Sequence, residues 1–417
     1  MPKIQIRGKQ PLFGEIKVSG SKNAALPILA ATLLCDEVCH IRNVPPITDI
    51  LNMKHLLRQT GKASNFCKEN FFTEASGELS PFAPYPLTNC LRASFLVAGP
   101  LLAKTGYARV SYPGGCPIGA RPVDLHLKGF EKLGATVQTE NGYVLLSSEK
   151  LQGNKIYLDF PSVGATENLM MAATLAKGIT VIENAAAEPE ICDLANFLNQ
   201  MGARVEGAGS DTVTVYGVER LTGCEYCVIP DRIEAGTYLI AAAATGGKVT
   251  VTDVIPEHLN PLIAKLRETG TRVIVKDASV TVEGNSNYKA VDIKTMPHPG
   301  FPTDLQAQFC SYLAGAKGTS VITETIFENR FLHIGELKRL GAKIITEGRT
   351  AVIEGTNNLN GAQVISGDLR GSAALVIAGL MAEGITVLED GGHLFRGYHN
   401  MIENLRMLGA DIRITEQ

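Results

Sequence analysis

Apolar positions in this chain follow a helical period in some segments and fill others almost completely. Leu194, Phe197, Leu198 and Met201 fall at i, i+3, i+4 and i+7, the stripe of an amphipathic helix resting one face on a core. Such stripes end in LLRQTGKA, FEKLGATV, LNQMGARV, LRETGTRV, LKRLGAKI and LRMLGADI, whose glycines Gly61, Gly134, Gly202, Gly270, Gly341 and Gly409 lie 68 to 73 residues apart. A glycine just past a helical stripe predicts a left-handed C-terminal residue. The chain therefore reads as six copies of one unit.

Each unit carries a second helical segment that is apolar nearly all round, as in AALPILAATLL, LMMAATLA, YLIAAAA and ALVIAGLMA. A helix without a polar face is predicted to lie inside. Alternating runs such as VTVYG and SVTVEG predict strands with one face in water. Six units exceed one core, so three plus three are expected in two domains of about 200 residues, helices inside and sheets outside. The last unit stops at ADIRITEQ, and the N-terminal IQIRGKQPLFGEIKVSGSK reads as its missing continuation. The expected domains are 22–229 and 1–21 plus 230–417, crossing near residues 21 and 230, with ligand-bearing ends facing across a cleft.

Composition adds limits. Residues are 45% hydrophobic and 19% charged, with a net charge of -3, which argues against a nucleic-acid partner. The longest apolar run, Ala24 to Cys35, is short of the roughly 20 residues a membrane helix needs, and MPKIQIRGKQ lacks a signal core, so no membrane partner and a cytoplasmic location are expected. Nine cysteines without small-domain spacing read as free thiols of a reducing compartment. Cys224-x-x-Cys227 has no second pair and reads as strand; no metal or cofactor motif is found, and nothing reads on oligomeric state.

Charge returns at fixed phases of the repeat. Lys22, Arg92, Ser162, Asp231, Asp304 and Arg370 open the buried helices; Cys116, Glu188, His258, Arg330 and Arg396 fall in later loops, again one repeat apart. Ser and Asp read as N-caps. A cation there opposes the helix dipole, at a cost of a few tenths to about 1 kcal/mol, so Lys22, Arg92 and Arg370, with Arg121, Arg330 and Arg396, predict a polyanionic ligand. In YPGGCPIGARP, Gly114 and Gly115 are expected to supply unusual backbone angles, and Arg121 to lower the pKa of the Cys116 thiol.

At these residues the chain resembles the enolpyruvyl transferase family, in its members acting on UDP-N-acetylglucosamine. The likeness runs through SGSKNAALPIL, LRASF, PGGCPIGARPVDLH, SVGAT, ENAAAEPEI, PDRIEAGT, FPTDLQAQF, ITETIFENRF and DLRGSAAL. It implies two inside-out α/β barrels (α/β prisms) of three repeats each. The implied reaction moves the enolpyruvyl group of phosphoenolpyruvate to the 3'-hydroxyl of the sugar nucleotide, in peptidoglycan precursor synthesis. By the same resemblance Cys116 is the acid and the target of the epoxide fosfomycin, and Asp304 handles the hydroxyl proton. Lys22, Asn23, Arg121, Arg330, Arg370 and Arg396 bind phosphoenolpyruvate. Arg92, Arg121, Pro122, Val123, Asp124, Leu125, Ser162, Val163, Gly164, Asp304 and Ile326 bind the nucleotide sugar, with Glu188 and Asp231 in a polar network. Three departures stand out: Phe160 and Pro161 where a lysine is expected, Phe95 for a tryptophan, and Pro117 in the Cys loop. Two rivals are an enzyme of the shikimate branch, which needs neither Cys116 nor ARPVDL, and a silent nucleotide-sugar sensor, which should have lost Cys116, Asp304 or Arg396.

Overall fold

The computed structural model describes residues 3–75, 77–114, 118–119 and 122–415. They fall into two compact units, one within Met1–Ser19 and Pro230–Gln417, the other within Gly20–Gly115 and Arg121–Ile229; Ile118 and Gly119 group with the first. The first is called the C-terminal unit below, and the second the N-terminal unit.

Each of the six repeat glycines has positive φ, between 88° and 98°. After the helix Pro189–Gln200, for example, Gly202 N–H donates to Asn199 O and Ala203 N–H to Leu198 O, both at 3.0 Å, closing the helix end. The all-apolar segments are the inner helices. Lys22–Ala31, Ala98–Thr105 and Val163–Ala173 lie inside the N-terminal unit, and Arg232–Thr245, Gln306–Leu313 and Leu369–Met381 inside the C-terminal one. In the last of these all residues are buried, and each large side chain such as Leu375 or Ile377 adds about 1.5–3 kcal/mol by leaving water. The amphipathic helices turn one face to these cores; in Thr48–Gln59 that face is Ile50, Met53, Leu56 and Leu57. In the N-terminal unit the helices approach closely at Gly99, where a Cβ would lie 2.4 Å from Asn168 O, leaving no room for a side chain.

The described strands form six four-stranded sheets of one pattern. In each, a strand running into a buried helix pairs parallel with the strand leaving such a helix, which pairs antiparallel with a two-stranded ribbon, a hairpin in five sheets and Lys3–Arg7 with Asp411–Thr415 in the sixth. Lys155–Tyr157, Ile179–Glu183, Thr212–Tyr216 and Arg204–Glu206 show it within one repeat. Alternate residues point inward, as in Thr212–Tyr216, so helices are inside and sheets outside in each unit.

The chain start departs from expectation. Lys3–Arg7 does complete the last repeat, lying antiparallel between Ile385–Glu389 and Asp411–Thr415. Phe13–Lys17 does not: it pairs in parallel with Lys248–Thr252, in the sheet of the fourth repeat. Glu225–Cys227 correspondingly pairs with His40–Arg42 of the first. Phe13–Lys17 precedes the helix Lys22–Ala31, and Glu225–Cys227 precedes Arg232–Thr245. Because the chain passes to the other unit between strand and helix, each strand completes the sheet of the unit it leaves.

Candidate active site

In the C-terminal unit three helix starts meet. Asp304 lies in a short 3-10 turn, Thr303–Leu305, leading into Gln306–Leu313. Arg330 Nη2 reaches its Oδ1 and Arg370 Nη2 its Oδ2, each at 2.7 Å. Both guanidiniums are about 95% buried, whereas the carboxylate side chain keeps 25% exposure. Burial alone would lower the Arg370 pKa; the Asp304 carboxylate, together with Tyr398 and Asp231, outweighs that and raises it. Behind them the Tyr398 hydroxyl accepts from Arg370 Nη1 at 3.2 Å and Gln308 Nε2 at 3.1 Å, and contacts Thr237 Oγ1 at 3.2 Å. Asp231 caps Arg232–Thr245, accepting from Ile233 N and Glu234 N at 2.8 and 2.9 Å. Ile326 N donates to Glu324 Oε1 at 2.8 Å, and Glu324 Oε2 accepts from Thr303 Oγ1 at 2.9 Å, so Ile326 is tied to the turn holding Asp304. Arg396 ends the turn Leu394–Arg396, half-buried, and His258 lies in the turn Pro256–Leu259.

In the N-terminal unit Lys22 is the first residue of its helix, and its Nζ lies 3.3 Å from Asp49 Oδ2 with both side chains at least nine-tenths buried. Asn23, next to it, is half-buried. Ser21 and Ser162 are the caps of their helices, through Ala24 N at 3.3 Å and Ala165 N at 3.4 Å. Arg92 opens the 3-10 turn Arg92–Val97, and its Nη2 reaches Pro122 O at 3.3 Å. Pro122, Val123, Asp124 and Leu125 lead into the helix Asp124–Lys132, which packs on Val163–Ala173, bringing two of the predicted nucleotide-sugar segments together. His126 faces Gly164. Its pKa is pushed down to about 3, by burial first and then by the Arg92 charge, so it stays neutral. Asn168 Nδ2 donates to His126 Nδ1 at 3.1 Å and to Phe95 O at 2.9 Å, while its Oδ1 accepts Gly99 N at 2.8 Å. Phe95 meets His126 edge-on at 5.2 Å. Glu188 is the N-cap position of Pro189–Gln200, without a cap bond from its side chain. Phe160 is exposed, and Pro161 follows it half-buried.

Several expectations change. Arg92 opens a 3-10 turn and Asp304 lies within one, rather than at the first residue of an α-helix, and the sixth buried helix is capped by Asp368, two residues before Arg370. Lys22, Arg330 and Arg370 were expected to need an external anion, but carboxylates of the chain already meet them. At Gly114 the structure shows a close approach: a Cβ would lie 2.1 Å from Asn89 O. Gly115, Cys116, Pro117 and Arg121 lie outside the described residues. Beyond them, Ile118 O accepts Asn329 N at 3.0 Å. Sequence reasoning missed Asp49, Asn168, Glu324 and Tyr398. Glu324 lay within the quoted ITETIFENRF, where an acidic residue between two threonines at a strand end was its signal. No group of His, Cys, Asp or Glu suited to a metal occurs among the described residues, and no helix among them is long and apolar enough to cross a membrane.

The sequence profile of EPSP synthase (3-phosphoshikimate 1-carboxyvinyltransferase) matches residues 6–405. The chain belongs to this family, the enolpyruvyl transferases. Among its relatives, it is 54% identical over 411 residues to UDP-N-acetylglucosamine 1-carboxyvinyltransferase 1 of Caldanaerobacter subterraneus subsp. tengcongensis, covering 98% of this chain and 99% of that protein. It is 55% identical over 414 residues to UDP-N-acetylglucosamine 1-carboxyvinyltransferase 2 of Carboxydothermus hydrogenoformans, covering 99% of each. The enolpyruvyl transferase NikO from Streptomyces tendae superposes with a TM-score of 0.89 at 26% identity, over 99% of both chains. EPSP synthase from Acinetobacter baumannii matches with a TM-score of 0.78 at 18% identity over 100% of both, a likeness of fold alone.

Proposed function

We propose that this chain transfers the enolpyruvyl group of phosphoenolpyruvate to the 3'-hydroxyl of UDP-N-acetylglucosamine and releases phosphate, the first committed step of peptidoglycan precursor synthesis. The observation that carries the reading is the Asp304 carboxylate gripped by Arg330 and Arg370. A carboxylate held beside two buried cations suits an addition that handles a hydroxyl proton next to an anionic substrate. The names and full-length identity of the relatives support the sugar nucleotide as acceptor.

In this reading Cys116 delivers a proton to C3 of the enol, C2 accepts the sugar oxygen, and Asp304 takes the hydroxyl proton. The tetrahedral intermediate then loses a proton from C3 and phosphate from C2, restoring the enol ether. Arg330 and Arg370 hold the carboxylate of phosphoenolpyruvate, Arg121 and Arg396 its phosphate, and Lys22 and Asn23 also bind it. Arg92, Arg121, Pro122 to Leu125, Ser162 to Gly164 and Ile326 bind the nucleotide sugar, with Glu188 and Asp231 in the surrounding polar network. The reaction takes place in the cytoplasm, during wall growth and division.

Phosphate release from purified protein with both substrates, run beside Cys116→Ala, tests this. Release by wild type alone is expected, with fosfomycin abolishing it and its adduct mapping to Cys116. Turnover with shikimate 3-phosphate but not with the sugar nucleotide would transfer the assignment to the shikimate branch. Silence with every acceptor would leave a sensor.

A further inference from the structure

Away from the residues assigned above, the N-terminal unit carries three cysteines in line. Cys35 and Cys39 are fully buried and their sulfurs lie 3.7 Å apart. The Cys39 thiol in turn lies beside that of Cys224, which is half-buried. The backbone explains the alignment. His40 N donates to Cys224 O at 2.9 Å, and the parallel register pairs Glu225 with His40, so Cys39 and Cys224 are the preceding rung. Neighbouring strands run about 4.8 Å apart, within the roughly 4.4–6.8 Å Cα separation a disulfide spans.

Other groups hold this arrangement. Cys39 N donates to Thr73 Oγ1 at 2.9 Å, and Thr73 N to Cys39 O at 3.0 Å. Lys62, with no exposed surface, donates from Nζ to Cys35 O at 2.9 Å and Glu37 O at 3.1 Å. Glu37 Oε2 accepts Gly223 N at 3.0 Å, fastening the loop that carries Cys224 to the loop that carries Cys35. The sulfurs differ in character. Cys35 Sγ also approaches Thr32 O at 3.8 Å and Glu37 O at 3.7 Å, and the neighbouring thiol first, with burial, raises the pKa of Cys35 and of Cys39. The neighbouring Cys39 thiol lowers that of Cys224. Cys224 is also the one sulfur of the three that solvent reaches, so it is the one a small oxidant meets first.

We propose that Cys39 and Cys224, backed by Cys35, form a site of reversible oxidation in which peroxide attacks at Cys224 and Cys39 closes a disulfide. The Cys224 thiolate attacks one oxygen of hydrogen peroxide and the O–O bond breaks. Hydroxide leaves, taking up a proton as water, and Cys224 becomes a sulfenic acid. The Cys39 sulfur then attacks the Cys224 sulfur, the S–O bond breaks, and a second water leaves with the Cys39 proton. Two thiols lose two electrons and one peroxide gains them. The residues are separate from those proposed for enolpyruvyl transfer.

The test is peptide mapping of the full wild-type chain after brief exposure to hydrogen peroxide, alkylation of remaining thiols under denaturing conditions, and digestion without reductant. The expected product is a peptide linking Cys39 to Cys224, with loss of both alkylation signals and their return after dithiothreitol. Cys224→Ser should leave Cys39 fully alkylated, whereas Cys35→Ser should keep the link. The proposal is overturned if Cys39 remains alkylated in wild type while the exposed Cys67 and Cys90 are oxidised. It is equally overturned if Cys224 proceeds to sulfinic acid with Cys39 untouched, an outcome that needs no variant to be read.

Discussion

The two units repeat one pattern of helix and sheet, yet spend the same helix starts on different chemistry. In the C-terminal unit the starts of Gln306–Leu313 and Leu369–Met381 place Asp304 and Arg370 in one charged array with Arg330. In the N-terminal unit the start of Lys22–Ala31 carries a buried ion pair, and that of Val163–Ala173 lies beside a neutral His126–Asn168 pair. Where charges are buried together, each side chain depends on the others' ionisation. Where the buried groups are neutral, structure rests on satisfied hydrogen bonds. The contrast predicts that substitutions in the first array act on turnover, and in the second on stability.

The largest effect should follow removal of the shared carboxylate. Asp304→Ala takes away the proposed proton acceptor and leaves two buried guanidiniums facing each other, so phosphate release should fall by ~10²–10⁴-fold. Circular dichroism of the folded variant separates this from unfolding. Near-normal turnover would remove Asp304 from the reaction and leave it a spacer between cations.

Asn168→Ala is the counterpart in the N-terminal unit. It removes the partner of Gly99 N and leaves Phe95 O with Ala98 N alone, and should cost ~1–3 kcal/mol in denaturant unfolding. A loss equal to that of an exposed site would show that the neutral pair is dispensable.

A pH profile sharpens the comparison. The Glu234 carboxyl, in the first turn of Arg232–Thr245, is pushed up to about 8, by burial first and then by Asp231. A hydrogen bond with Ser19 opposes part of this. Between its ordinary 4.5 and about 8 the folded chain holds a proton that the unfolded chain releases. This stabilising contribution is complete below the lower value and is lost as pH rises through the upper one. Glu234→Gln fixes the neutral state, so the variant should gain ~1–3 kcal/mol over wild type above that window and show a flatter stability profile. Parallel profiles for the two proteins would place the titration elsewhere.

How much of this could be read from the chain depended on how local the physics was. The six glycines announced their helix ends because a left-handed residue after an apolar stripe is settled within one turn. The inner helices announced themselves by lacking a polar face. The placement of Phe13–Lys17 was hidden, because a short edge strand carries no pattern naming its neighbour, and its partner lies more than 200 residues away. Asp304, Arg330 and Arg370 were legible by phase, but not the ion pairs they make, since phase locates a residue and does not choose its partner. Asp49 and Asn168 lie within helices beside other polar residues, and nothing in one sequence separates a polar residue with a buried partner from an ordinary helix position.

The smallest predicted effect tests whether the charged array is tuned by its surroundings. Tyr398 is 2% exposed and, through its hydroxyl, links Arg370 on one helix to Gln308 on another. It touches neither Asp304 nor Arg330 by any described bond, so it acts as a positioning residue for Arg370. Tyr398→Phe keeps the ring and removes the acceptor, leaving Arg370 with its bond to Asp304 but free to swing about it. The loss of one neutral acceptor to a cation is worth ~1 kcal/mol, about a fivefold change. If Arg370 binds the carboxylate of phosphoenolpyruvate, that change should appear in KM for phosphoenolpyruvate, with kcat and KM for the sugar nucleotide nearly unmoved. An equal rise in both KM values would show instead that Tyr398 supports the unit as a whole, and that the charged array holds its geometry without it.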